Sequence, residues 1–467
     1  MSVERMALQV LLPAFPGTTL ATDAAALLQE GLGGVCLFGS NTVGGRDALR
    51  ALTTAIHAAG PSAVVAVDEE GGDVTRLHTE SGSPVLGPAA LGQADDLALT
   101  LATGRAVGAD LVDAGIDLDL GPVADVNSNP DNPVIGTRSF GTDPVRVAAH
   151  VAAWVSGLQD AGVAGCAKHF PGHGDTAQDS HLELPVVLAD LATLLVRELV
   201  PFGAAVDAGV AAVMTSHLVV PAVDPDLPAT LSRPVLDLLR DRLGFGGVIV
   251  SDALDMAGAS AGRGIPEAAV LSLVAGADLL CLGPDKDVGL VREVQAAIVG
   301  AVRSGRLSKE RLVRAAGRVA GLRPTAVGGP FEPEVAGLLA GVPSSLTVEG
   351  ELPSLAGAFV VLVDTPANIA VGDVPWGLPA DLVVAAGAPL DVPPDRPVVV
   401  QVRDAHRWPE SLGAFERLAE TGRAVVVVEW GWPGPYDGRL PRICARGFSR
   451  PGAAAVAEVL RKAGWDR

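Results

Sequence analysis

The longer, N-terminal part of the chain alternates short apolar runs with longer amphipathic stretches. The short runs are rich in β-branched residues and occupy positions 10–15, 34–38, 63–67, 118–126, 163–169, 212–217, 247–251 and 278–282. Between them, apolar positions recur at helical spacing at 47–59, 95–114, 143–161, 192–208, 266–275 and 287–304. Such alternation requires parallel strands that are joined by crossover helices. Eight repeats therefore predict an α/β fold of the (β/α)8 TIM-like barrel type.

A change of pattern after Arg318 predicts a domain boundary. Helix breakers interrupt the helical spacing at 321–324 and at 328–333. A second alternation follows, with strand-like runs at 358–363, 382–386, 397–402 and 424–429 and a helical tail at 451–462. We therefore predict a (β/α)8 domain at 1–322, a linker at 323–350 and a smaller αβα sandwich at 351–467. Five of the six tryptophans lie in this second part, where we expect them to pack in its core or against the first domain.

The composition narrows the class of protein. The chain is 49% hydrophobic and 19% charged, which excludes a disordered or collagen-like protein. Its 34 basic and 54 acidic residues give a net charge of −20, so nucleic acid and anionic membranes are not expected as partners. The sequence shows neither an export signal nor an apolar segment long enough to cross a bilayer, and its four cysteines are widely separated. We expect a cytoplasmic enzyme or binding protein with reduced cysteines.

The densest polar segment follows the fifth predicted strand. It runs from Lys168 to His181 and contains three of the eight histidines together with Gly172 and Gly174, which permit a close backbone approach to a ligand. The chain has only four lysines, so a lysine beside His169 at the end of a barrel strand is informative. Active sites of TIM barrels lie on the loops that follow the strands. We therefore expect Lys168, His169 and His181 in the site, whereas His173 could equally serve to hold the loop in shape.

A carboxylate also leaves the seventh predicted strand. Asp252 follows a strongly apolar run, where an unpaired buried carboxylate would cost several kcal/mol, so a purely structural role would require a cationic partner. Asp255, three residues later, could cap the next helix. Other polar groups follow the third, fourth and sixth strands, namely Asp68-Glu69-Glu70, Asp125 and Ser216-His217.

Together these segments resemble family 3 glycoside hydrolases, in the branch of NagZ-like β-N-acetylglucosaminidases. The resemblance is carried by KHFPGHGDT at 168–176 with DSH at 179–181, by DEEGG at 68–72 and by SDAL at 251–254. It spans roughly residues 5–320. The remainder resembles the second αβα domain of two-domain members but contains no motif that would transfer a function.

The resemblance implies a retaining β-N-acetylglucosaminidase that acts without a cofactor or metal on a small carbohydrate, such as a muropeptide-type cell-wall fragment. Asp252 would be the nucleophile, and His181, held by Asp179, would be the general acid/base. An imidazole suits that role because its ordinary pKa lies near neutral pH. Sugar-binding residues would be Asp68, Arg138, Lys168 and His169, with Asp125 and Arg76 as helpers and His217 as support. Carboxylate acceptors and cationic donors suit a neutral pyranose.

Three alternatives remain open at this point. A phosphorylase on the same scaffold would pass the sugar to phosphate, although the net charge of −20 disfavours an anionic co-substrate. A metal-dependent barrel hydrolase could use ligands from His169, His173, Asp175, Asp179 and His181, but the first strand lacks the His-x-His pair that is usual for that class. A non-catalytic sugar-binding protein would leave the carboxylate at 252 and the His-Asp pair without a purpose.

Overall fold

The computed structural model describes residues 1–177, 184–260, 262–322, 341–366, 368, 370–372, 374–437 and 439–467. The strands of its first part are β1 (Leu11–Leu12), β2 (Gly34–Leu37), β3 (Val64–Val67), β4 (Leu118–Asp119), β5 (Ala164–Phe170), β6 (Ala212–Thr215), β7 (Val219–Val220), β8 (Asp224–Pro228), β9 (Val248–Ser251) and β10 (Leu279–Cys281). Eight of them form one parallel sheet in the order β1-β10-β9-β6-β5-β4-β3-β2, and β7 and β8 form a separate antiparallel hairpin. The N–H of Cys36 in β2 donates to the carbonyl of Pro13 beside β1, at 2.9 Å, which brings the two ends of the sheet together. The predicted (β/α)8 barrel is thus confirmed.

Helices surround the strands. Among the described residues they are Val3–Gln9, Thr22–Glu30, Gly39–Thr42, Gly45–Ala59, Pro88–Ala94, Leu97–Asp113, Pro144–Asp160, Leu191–Thr193, Leu199–Asp207, Arg233–Asp237, Ala257–Ser260, Ile265–Ala275, Val288–Arg303 and Lys309–Gly321. Side chains cap several N-termini; for example, Asp96 accepts from the N–H groups of Ala98 and Leu99. Gly157 lies directly against the backbone of Leu101, so a side chain there would force two neighbouring helices apart.

The barrel interior is filled with side chains rather than open. Leu12, Cys36, Ala66, Leu120 and Met214 belong to a buried cluster inside the ring of strands. As in other barrels of this type, a packed interior leaves the mouth, where the strands end, as the place for a ligand. The four cysteines are free and buried.

A second sheet follows the barrel. Its strands are β11 (Thr347–Glu349), β12 (Phe359–Asp364), β13 (Leu382–Ala385), β14 (Val398–Val402), β15 (Val425–Glu429) and β16 (Arg442–Cys444), in the order β11-β16-β15-β14-β12-β13. All neighbours are parallel except β11 and β16. The helices Pro409–Glu420 and Arg450–Lys462 contribute to two different core clusters, so they cover opposite faces and complete the expected αβα sandwich. β11 lies inside the segment predicted as a linker, whereas positions 323–340 lie outside the described residues.

The second sheet domain contacts the barrel on the loops after β3 and β4. Asp73 accepts hydrogen bonds from the Thr137 hydroxyl (2.6 Å) and from the N–H of Phe448 (2.7 Å). The N–H of Arg450 donates to the carbonyl of Ser83 at 2.9 Å. The second domain therefore lies beside the mouth of the barrel and can form part of its rim.

Across the described residues, no helix combines the length and apolar character that a membrane span requires. The cytoplasmic location stays a prediction.

Candidate active site

A cavity of about 440 Å³ occupies the mouth of the barrel. This volume is in the range of sites for small organic ligands. The ionisable residues that line it are Asp68, Glu70, Arg76, Arg138, Lys168, His169, His173, Asp252 and Asp255. Six of the predicted site residues are among them, and they come from the end of β5 and from the loops that follow β3, β4 and β9. Ala370, in the loop after β12 of the second domain, also lines the cavity.

One wall of the cavity is formed by Asp68, Glu70, Arg138 and Lys168, here called the charged cluster. The Lys168 ammonium lies 2.6 Å from Asp68 Oδ1 and 2.7 Å from Glu70 Oε1. The Arg138 guanidinium holds both oxygens of Glu70, with Nε–Oε2 at 2.9 Å and Nη2–Oε1 at 2.8 Å. Such forked, charge-assisted pairing fixes the positions of all the groups involved.

The cluster remains charged although it is buried. Burial opposes ionisation of Glu70, but Arg138 and Lys168 overcome it and hold the pKa of that carboxyl well below its usual range. Burial also opposes the charge on Lys168, yet Asp68 and Glu70 raise the pKa of its ammonium. Hydrogen-bond donors and acceptors of opposite charge are therefore present side by side at neutral pH.

His169 is oriented by a buried carboxylate behind it. Its Nδ1 lies 2.7 Å from Asp125 Oδ2, and its Nε2 lies 3.3 Å from Arg138 Nη2. A guanidinium can only donate, so Nε2 accepts and Nδ1 carries the proton. Burial works against ionisation of Asp125, but His169 and the N–H of His173 hold the pKa of that carboxyl below its usual value. Asp125 does not line the cavity and acts on it through His169.

The loop after β9 carries Asp252 to the cavity. The N–H of Ala253 donates to Asp252 Oδ1 at 2.8 Å, which orients the half-buried carboxylate. His217 lies behind this loop, fully buried, with Nε2 at 2.9 Å from the carbonyl of Ala253 and Nδ1 at 2.8 Å from the Thr230 hydroxyl. Since a carbonyl only accepts, Nε2 carries the proton. His217 thus supports the loop and does not line the cavity.

The start of the 168–181 segment is tightly anchored. The N–H of His173 donates to Asp125 Oδ1 at 2.8 Å, and Gly174 lies against the backbone of Val126, where no side chain would fit. Burial lowers the pKa of His173 to about 4, so this imidazole is neutral at physiological pH. Asp179 and His181 lie outside the described residues, so the acid/base pair stays a prediction.

Arg76 lines the cavity at the domain contact. Its Nη2 donates to the carbonyl of Ala370 at 2.7 Å, and its Nη1 lies 3.5 Å from the carbonyl of Val371. Its backbone N–H donates to Glu69 Oε2 at 2.8 Å. The guanidinium therefore joins the barrel to the second domain at the rim, and its predicted contact with sugar stays a prediction.

Three ionisable lining residues, Glu70, His173 and Asp255, were absent from the predicted site. Glu70 holds the charged cluster together, and the alternation of side chains along an extended segment could have identified it, because residues 68 and 70 share a direction that Glu69 does not. Asp255, interpreted above as a candidate helix cap, instead pairs with Lys286 at 2.8 Å and lines the cavity. Its partner is 31 positions away, which no local pattern reveals.

The described residues contain no group of three or more His, Cys, Asp or Glu side chains arranged to hold a metal ion. Two of the ligands considered in the sequence analysis, Asp179 and His181, lie outside that part of the chain.

Comparison with known proteins identifies the family. Residues 4–322 match the model of the glycosyl hydrolase family 3 N-terminal domain. The chain therefore belongs to glycosyl hydrolase family 3, which confirms the family and the enzyme class expected from its motifs.

Individual relatives agree with this assignment. The chain is 33% identical to a β-hexosaminidase A of Pseudoalteromonas piscicida over 72% of its own length, and it spans 60% of that relative. It is 35% identical to a β-hexosaminidase of Xanthomonas oryzae pv. oryzae over 65% of its length and 94% of that relative. A family 3 β-N-acetylglucosaminidase structure from Paenibacillus sp. superposes with a TM-score of 0.87, at 30% identity, over 100% of this chain and 97% of that one.

Proposed function

We propose that the protein is a retaining β-N-acetylglucosaminidase that releases terminal β-linked N-acetylglucosamine from small carbohydrates. The observation that carries this proposal is the charged cluster facing the same cavity as Asp252. The names of the relatives support the same sugar, since they are β-hexosaminidases and a β-N-acetylglucosaminidase. We propose muropeptide-type cell-wall fragments as the natural substrates that carry this terminal sugar.

The charged cluster is proposed to bind the ring hydroxyls. Each hydroxyl both donates and accepts, so adjacent hydroxyls are matched by Asp68 as acceptor and by Arg138 and Lys168 as donors. These side chains are already held by one another, so little side-chain entropy is lost when a sugar binds. His169 extends the same wall and is kept in one orientation by Asp125.

Asp252 is proposed as the nucleophile. Its carboxylate forms a bond to the anomeric carbon while the glycosidic bond breaks and the leaving oxygen takes a proton. His181, oriented by Asp179, is proposed to supply that proton. In the second half of the reaction, water attacks the anomeric carbon, its proton returns to His181, and Asp252 is released as a carboxylate. No cofactor or metal is required for either step.

Water rather than phosphate is proposed as the acceptor. Each described cation at the cavity already has an oxygen partner: Lys168 and Arg138 bind carboxylates, and Arg76 binds backbone carbonyls. The carboxylates offset the charges of Lys168 and Arg138 and so weaken their attraction for phosphate, whereas water needs no cation. This favours hydrolysis over the phosphorylase alternative.

The test is product analysis on 4-nitrophenyl β-N-acetylglucosaminide, with and without inorganic phosphate. We expect N-acetylglucosamine with the β configuration as the first product, unchanged by phosphate, and no turnover by Asp252→Ala. Asp47→Ala, at a fully exposed carboxylate outside the cavity lining, is the matched control and should retain activity. An α-configured first product or a sugar 1-phosphate would contradict the proposal.

A further inference from the structure

The described start of the 168–181 segment is held on one side by the neighbouring loop. The N–H of His173 donates to Asp125 Oδ1 at 2.8 Å, and its carbonyl accepts from Asn132 Nδ2 at 2.8 Å. Two positions later, Asp175 Oδ1 accepts from the Ser128 hydroxyl at 3.2 Å. All three of these partners lie on the loop after β4. They therefore fix the face of the segment that is turned towards that loop.

The other side of the segment is held by two adjacent residues from a helical turn. Arg197 Nη2 pairs with Asp175 Oδ2, and Arg197 Nε pairs with Glu198 Oε1. The fully buried Glu198 fills the space beside Gly172, where an added Cβ would come within 2.6 Å of Glu198 Oε2. Both residues belong to a π-helical turn, Leu194–Glu198, and such turns are frequent at functional sites. One guanidinium thus joins this turn to the segment.

The ion pair between Arg197 and Asp175 is partly shielded from solvent. The two side chains are 25% and 28% exposed. Burial opposes the charge on Arg197, but Glu198 and Asp175 raise the pKa of its guanidinium. Neither Arg197 nor Asp175 lines the cavity. The pair can therefore influence the reaction only through the segment that it holds.

We propose that Arg197 is a positioning residue for proton transfer, because its bond to Asp175 fixes the point from which the chain continues to the acid/base group. This rests on the proposed function, since it assumes that His181, six positions after Asp175, supplies the proton. The acid must lie within hydrogen-bond reach of the leaving oxygen, and a displacement of about 1 Å can cost ~10²-fold in rate. Asp175, considered above as a possible metal ligand, thus has a role that needs no metal.

The test is the leaving-group dependence of kcat/KM on aryl β-N-acetylglucosaminides. A poor leaving group needs the proton most, so Arg197→Met should lose about 10- to 100-fold on the 4-methoxyphenyl glycoside and much less on the 4-nitrophenyl glycoside. Asp175→Ala should show the same pattern. The double variant should be little worse than either single variant, because both changes break one contact. Arg197→Lys keeps the charge and should recover part of the loss.

Arg46→Met is the matched control. Arg46 pairs with Asp110 away from the cavity lining, and these side chains are 26% and 27% exposed, close to the values for Arg197 and Asp175. This variant should keep the leaving-group dependence of the unmodified enzyme. Circular dichroism and thermal unfolding of each variant report on the fold, and Arg197→Lys serves if Arg197→Met fails to fold.

Three results would overturn the inference about Arg197. These are no loss in Arg197→Met, equal losses on both leaving groups, and losses by the single variants that multiply in the double variant. Failure of the proposed function would be seen separately. The unmodified enzyme would then release no N-acetylglucosamine, or His181→Ala would lose equally on both leaving groups.

Discussion

Glu198 makes the stability of the barrel depend on pH. Its carboxyl is fully buried against the backbone of Gly172, at the start of the 168–181 segment. Oε1 pairs with Arg197, whereas Oε2 has no hydrogen-bond partner among the described residues. Burial raises the pKa of Glu198 from 4.5 to about 7. The folded protein therefore keeps this proton at pH values where the unfolded chain has lost it.

The magnitude follows from the difference between the two pKa values. Subtracting 4.5 from about 7 gives about 2.5, and at ~1.36 kcal/mol for each pKa unit this corresponds to about 3 kcal/mol. Because the folded-state pKa is the higher one, this stability is fully present below pH ~4.5 and is lost as the pH rises through about 7. A glutamine at this position does not titrate. Glu198→Gln should therefore gain about 3 kcal/mol relative to the unmodified protein between pH 4.5 and pH 8.

The assay is urea unfolding of both proteins at several pH values across this window. The difference between the free energies of unfolding of the two proteins cancels the contribution of every ionisable group that both proteins contain. Glu267→Gln, at the partly exposed ion pair with Arg306, controls for the loss of a carboxylate at the surface. The reasoning would be refuted if the difference in free energy of unfolding between Glu198→Gln and the unmodified protein did not change with pH. It would also be refuted if the unmodified protein were the more stable one at high pH.

Three further predictions concern the charged cluster and the proposed reaction. Glu70→Ala leaves Lys168 and Arg138 without their shared carboxylate, so it should cost about 3–5 kcal/mol in stability by thermal unfolding, whereas the exposed Glu80→Ala should cost little. His181→Ala should lose ~10²–10⁴-fold in kcat/KM on a disaccharide but much less on an activated aryl glycoside, with partial rescue by azide; equal losses on both substrates would assign the acid/base role elsewhere. Dialysis against EDTA should leave kcat unchanged, and activity that is lost and then restored by Zn²⁺ would contradict the mechanism.

The barrel could be predicted because a local run of apolar residues marks each of its strands. All eight barrel strands coincide with apolar runs between helical stretches, since parallel strands are buried on both faces. Two of the strands that were not predicted, β8 and β11, lack this signal. β8 is polar and contains proline, and β11 is a three-residue edge strand that is only partly buried. Their pairing is decided by tertiary contacts rather than by hydrophobic pattern.

The site could be predicted where a residue lies at the end of a strand or directly after it. Asp68, Lys168 and Asp252 were found in this way, and all three line the cavity. Contacts between distant segments gave no such signal. Arg76 meets its carbonyl partner 294 positions away, and the role of Asp255 depends on a lysine from a different loop.

The contact between Arg76 and the second domain has a consequence for the ionic character of the entrance. Arg76 donates there to main-chain carbonyls of the second domain. Substitution of the side chains at those positions would therefore not remove the acceptors. These carbonyls cover the guanidinium but do not neutralise it. Without this contact the guanidinium would be more exposed at the opening of the cavity. The second domain thus covers one of the positive charges at the entrance of the cavity.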